Sequence, residues 1–135
     1  MIEAYSNNIN VATDATIPFT NVQIQKGCTA KIESSGTIEL NKAGIYMVSV
    51  DAAGTPTEAG DVSIQLYKDG VAQPQAQSEV TGTTTAAANL GFLTLVQVKE
   101  NNTCSCCTSP TFVRVVNTGV PVDYTIANIV VTKVC

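Results

Sequence analysis

The sequence predicts an all-β fold, an antiparallel sandwich of two sheets, and three observations carry that expectation. Val (17), Thr (18) and Ile (10) make up a third of the 135 residues. Such β-branched side chains lose rotamer freedom in a helix but pack well on a pleated surface. Short runs alternate apolar and polar residues, the period of a strand with one buried face. Turn chemistry separates those runs at the close spacing of a sandwich or barrel. The length suits one compact domain over residues 1–135, and no repeat, linker or charge block divides it.

The elements follow in order. Val22 and Ile24 alternate with Gln23 and Gln25, and Lys26-Gly27 closes that run. Ala30 and Ile32 alternate with Lys31 and Glu33, and Ser34-Ser35-Gly36 turns the chain into a strand at 37–40. Asn41-Lys42-Ala43-Gly44 leads into 45–52. Val62, Ile64 and Leu66 alternate with Ser63, Gln65 and Tyr67, ahead of Asp69-Gly70. Asp and Gly both tolerate the positive φ of a type I′ hairpin turn, so paired strands are expected near 63–68 and 71–77. The remaining strands are placed at 82–88, 91–98, 111–117 and 122–133. Two segments read as loops. Gly54 to Gly60 carries Pro56 and small residues, and the low-complexity run Thr81 to Asn89 specifies register weakly.

Three strands are apolar on both faces. Tyr46, Val48 and Val50 oppose Ile45 and Met47; Phe92, Val96 and Val98 oppose Leu93 and Leu95; Ile126, Val130 and Val134 oppose Ala127, Ile129 and Val131. An antiparallel sheet with one solvated face alternates cleanly, so a strand that does not is covered twice. In a chain this short a subunit interface is the natural second cover; the alternative is cover by the protein's own loops.

Charge and chemistry exclude several functions. The net charge is −4, and the 7 Lys and Arg residues are scattered. Nucleic-acid binding needs clustered cations to displace phosphate counterions, so none is expected. No apolar stretch reaches the length that spans a bilayer, and Met1 to Asn10 show no signal peptide. Synthesis in the cytosol is expected, with retention there or exit inside a larger particle. There is no histidine, which removes the commonest general base and metal ligand. The 11 acidic residues are dispersed, and no phosphate-cradling loop is present. No enzymatic activity and no cofactor are expected.

The cysteines are the one conspicuous chemical feature. Cys28 follows a strand, Cys135 ends one, and Cys104, Cys106 and Cys107 share one loop. Disulfides are the leading expectation, and an odd count leaves one thiol free or paired between subunits. No metal site is expected, because Cys104, Cys106 and Cys107 lack the usual knuckle spacing; a structural zinc there is the alternative, as are reduced, packed thiols. The sequon at Asn101 reads as turn chemistry, and Arg114, the single arginine, as a solvated strand residue or an inter-subunit ion pair.

The run Gly44-Ile45-Tyr46-Met47-Val48-Ser49-Val50, followed by Val62 to Tyr67, Lys68-Asp69-Gly70 and a long apolar last strand, resembles the jelly roll of the tumour-necrosis-factor-like and complement-head-like superfamily. The overlap runs from about Val22 to the C-terminus and is most specific over 44–72. The resemblance implies a homotrimer packed around a three-fold axis, with the Gly-x-Tyr strand and the last strand in the interface sheet. The interface residues expected on this basis are Tyr46, Val48, Phe92, Tyr124, Ile126 and Val130.

Short, histidine-free, Thr-rich chains of this kind also resemble bacteriophage head decoration and fibre-tip proteins. A chain opening at Met1 with no stalk departs from the fibre and complement pattern. The expected function is therefore a trimeric capsid decoration (cement) protein on the virion exterior, partnered by itself and by the major capsid protein. The alternatives are a receptor- or glycan-binding fibre head, which would use the 54–60 and 81–89 loops, and a spore or cell-surface trimer. Residues 1–19 are the expected capsid-anchoring segment, through Ile2, Tyr5 and Ile9; an ordinary first strand pair is the alternative for them.

Overall fold

The computed structural model describes residues 1–33, 35–99 and 110–135. Among these described residues ten strands follow one another: β1 Ile2–Val11, β2 Asn21–Gln25, β3 Ala30–Ile32, β4 Ile38–Leu40, β5 Gly44–Pro56, β6 Gly60–Lys68, β7 Val71–Gly82, β8 Ala88–Val98, β9 Thr111–Asn117 and β10 Val122–Lys133. They form two five-stranded antiparallel sheets, in the orders β2-β1-β10-β5-β8 and β3-β4-β9-β6-β7. β1-β2, β3-β4 and β6-β7 are neighbours in both sequence and sheet, whereas β10, β5 and β8, and β4, β9 and β6, come together from distant parts of the chain, so the chain crosses between the sheets and wraps the sandwich as a jelly roll.

The alternation read from the sequence becomes burial. Tyr46, Val48 and Val50 of β5, Val62, Ile64 and Leu66 of β6, Val113 and Val115 of β9, and Ile129 and Val131 of β10 meet in one core between the sheets. Asp69 and Gly70 have φ of 50° and 81° and join β6 to β7 directly. This is the two-residue primed turn expected of Asp-Gly.

β9 divides its free edge. Its first half pairs with β4, and its second half pairs with the incoming segment at Thr16, Ile17 N–H reaching the Val115 carbonyl at 2.8 Å and Asn117 N–H the Ala15 carbonyl at 2.9 Å. Ile17 and Phe19 close the core there.

Several expectations are corrected. Gly54, Thr55 and Pro56 belong to β5, so the connection is only residues 57–59. A Cβ on Gly54 would lie 2.6 Å from the Asp123 carbonyl oxygen; the glycine is there for close approach of β10, not for a loop. No separate strand occupies 82–88: Gly82 ends β7, Ala88 begins β8, and 83–87 connect them.

Residues 1–19, the expected anchoring segment, begin as a strand of the sheet. β1 runs between β2 and β10, with Ile2 and Ala4 wholly buried. Ile9 is half-buried and packs on the core. Of the three expected anchors only Tyr5 faces outward, paired in register with Asn128. The first strand pair is an ordinary part of the sheet.

Candidate functional site: an apolar sheet face

The three strands with two apolar faces, β10, β5 and β8, lie side by side in one sheet. Their second faces therefore merge into one continuous outer surface. The register builds it row by row. Leu95, Met47 and Thr132 are one row; Leu93, Ser49, Val130 and Glu3 the next; then Gly91, Asp51, Asn128 and Tyr5; then Asn89, Ala53, Ile126 and Asn7. Leu93 is 63% exposed, Leu95 61% and Ile126 44%. Few monomers leave large apolar side chains together like this unless something covers them.

Expected interface residues divide between the two sides of this sheet. Ile126 and Val130 point out onto the face. Tyr46, Val48 and Tyr124 point between the sheets and are fully buried within the protomer, so they are core residues. Phe92 also turns inward and packs against the core. A β-bulge between Tyr124 and Ile126 shifts the register of β10 against β5, so two residues of equal parity end on opposite sides. Leu93, Leu95 and Met47 are the outward residues that the expectation missed. The alternation sets them on the opposite face of their strands, and periodicity alone does not say which face looks inward.

The buried tyrosines differ in their partners. The Tyr46 hydroxyl donates to the Lys42 carbonyl at 2.7 Å and is within 3.3 Å of the Thr29 carbonyl. The Tyr124 hydroxyl is buried with no hydrogen-bond partner, and burial pushes its pKa up to about 12. Burial also raises Tyr46. Neither hydroxyl reaches solvent as a reactive group.

Elsewhere, Arg114 lies on the outer face of the other sheet. Its guanidinium sits over the Tyr67 ring, 5.0 Å from the centroid, and donates to the Thr16 hydroxyl at 2.9 Å. That intramolecular stacking replaces the free solvated arginine that the sequence suggests. Cys28 and Cys135 are exposed thiols, and the expected disulfide to the loop carrying Cys104, Cys106 and Cys107 involves positions outside the described residues. Among the described residues no cluster of His, Cys, Asp or Glu could hold a metal ion, and no helix is long and apolar enough to cross a membrane. What the geometry offers is apolar contact.

No family model matches the chain, and no curated protein matches it. Solved structures do. The globular domain of zebrafish complement 1qA protein superposes with a TM-score of 0.73 at 8% identity, over 99% of this chain and 96% of that one. Murine APRIL superposes with a TM-score of 0.62 at 9% identity, over 98% of both chains. The PRD1 vertex protein P5 gives 0.61 at 16% identity, over 99% of this chain and 96% of that one. At such identities the shared property is the fold, and this chain has the TNF-like jelly roll.

Proposed function

We propose that this chain is a homotrimeric structural protein whose copies associate through the outer face of the β2-β1-β10-β5-β8 sheet. The observation that carries the reading is the merging of three apolar strand faces into one surface around Leu93, Leu95, Met47, Val130 and Ile126. Size supports it. At strand spacings of about 4.8 Å and rises of about 3.4 Å per residue, the five strands present roughly 800 Å², which is about what each partner contributes to a stable interface. Burying the part of each leucine still exposed, 63% of Leu93 and 61% of Leu95, contributes about 1–2 kcal/mol before association entropy is subtracted.

Within this reading the protein decorates the outside of a bacteriophage capsid and binds the major capsid protein. The likeness in fold to a vertex protein supports a virion address, and a low-charge, Thr-rich surface suits packing on other protein. Light scattering tests the trimer: the expected mass is about 42 kDa, three times 14.1 kDa. A monomer at micromolar concentration overturns it. Copy number in purified particles tests the address, because a decoration protein is abundant and a fibre head scarce.

A further inference from the structure

The outer face is not flat. A hollow of about 270 Å³ opens in it, lined by Asp51, Ala53, Asn89, Leu90, Ile126 and Asn128. Its origin is plain in the register. Ala53 stands at the centre of the row Asn89–Ala53–Ile126, and Gly91 ends the adjacent row Asn128–Asp51–Gly91. The small side chain of Ala53 leaves a floor that the longer side chains around it overhang. Asp51 leans across Gly91; a Cβ there would lie 2.8 Å from its Oδ1. The result is an apolar floor within a rim of one carboxylate and two amides. Such a site suits an apolar side chain whose own main chain carries unpaired polar groups.

The same chain presents that chemistry. β8 is an edge strand. Gly91 N–H reaches the Ser78 hydroxyl at 3.3 Å, and the Gln97 carbonyl accepts from Lys68 Nζ at 2.7 Å, so odd-numbered residues of β8 turn their main-chain groups away from β5, and the same protomer already holds those of Gly91 and Gln97. By the alternation of a strand, the main-chain groups of Leu93 and Leu95, between them, also turn away from β5. Their side chains meanwhile are the most exposed apolar groups on the outer face.

We infer that Leu93, with Leu95 beside it, seats in the Ala53 hollow of the next copy. The side chain covers the floor while the β8 edge meets Asn89, Asn128 and Asp51 at the rim. Knob and hollow are different places on one chain, so the contact is head-to-tail, and a rotation that closes after three copies satisfies every knob and every hollow. This inference rests on the trimer proposed above and names the residues that hold it together.

Light scattering and sedimentation of Ala53→Phe, Leu93→Ala and their combination test it, with far-UV circular dichroism melts confirming that each protomer folds. Ala53 is on the surface of the protomer, so filling the hollow leaves the fold intact. Ala53→Phe is expected to weaken the trimer about tenfold or more, roughly the loss of one well-packed contact. Leu93→Ala is expected to weaken it similarly, and the combination to recover part of the loss because the smaller knob makes room. A trimer unaffected by Ala53→Phe overturns the inference while leaving the trimer standing. Two weakened single variants with no recovery in the combination also overturn it, since the hollow then receives something other than Leu93. A monomeric unsubstituted protein overturns the trimer itself.

Discussion

The side-chain amide of Asn117 donates to the main-chain carbonyl of Val11 at 3.0 Å, joining the end of β9 to the end of β1 across the core. The same nitrogen lies 3.0 Å from the Val120 carbonyl, and the Asn117 oxygen accepts from Gly119 N–H at 3.1 Å. Asn117 is wholly buried, so its side chain satisfies three main-chain groups, that of Val11 in the core and those of Val120 and Gly119 at its margin. Asn117→Leu leaves them unpaired and is expected to cost about 2–4 kcal/mol, at 1–3 kcal/mol per orphaned group with partial relaxation. Urea denaturation measures it; a loss below half of the lower figure counts against this account.

The two core tyrosines are expected to respond oppositely to loss of the hydroxyl. Tyr46→Phe removes the hydrogen bond to the Lys42 carbonyl and is expected to destabilise by about 1 kcal/mol. Tyr124→Phe removes a hydroxyl that is buried without a partner, so it is expected to be neutral or stabilising by about 1 kcal/mol. Thermal melts of both variants at neutral pH check the sign.

Alkaline stability follows from the same residue. Burial holds Tyr124 at about 12 in the folded chain, against the ordinary tyrosine value of 10.0 when unfolded. The folded pKa is raised, so the unfolded state loses its proton first. Stability is complete below pH 10.0 and falls as pH rises towards about 12. The loss attributable to Tyr124 is of order 2–3 kcal/mol. Tyr124→Phe is expected to flatten this part of the curve. A Tyr124→Phe variant with the same alkaline loss as the unsubstituted chain would show that another group dominates.

Gly54 is expected to tolerate no side chain. Alanine there places its Cβ 2.6 Å from the Asp123 carbonyl oxygen and 2.8 Å from Tyr124 Cα, both main-chain atoms of the neighbouring strand. Gly54→Ala is expected to destabilise by about 2 kcal/mol or more, as overpacking against a rigid backbone does. An unchanged melting temperature would mean that β10 moves freely at its bulge.

Charge on the outer face is expected to separate association from folding. Leu95→Glu sits at an exposed position and should leave the protomer's melting transition nearly unchanged once concentration effects are removed. It is expected to shift the particle mass to that of one chain, because an unpaired carboxylate in a covered apolar face is costly. A trimer that survives Leu95→Glu places the contact surface elsewhere.

The sequence by itself determined the all-β class, through its β-branched composition, and the β6–β7 hairpin, through Asp69-Gly70, whose conformation is local. It also identified β5, β8 and β10 as strands with two apolar faces, because a period of two sorts residues within each strand. Tertiary structure alone decided which face looks out. Tyr46 and Met47 are both apolar, and only packing against the opposite sheet assigns the first to the core and the second to the surface. Parity itself changes at the β10 bulge, which separates Tyr124 from Ile126 although both sit at even positions. Local alternation carries no record of a bulge or of the neighbouring strand. The adjacency of three distant strands, which turns three separate apolar faces into one surface with a hollow at Ala53, therefore appears only when the sheets assemble.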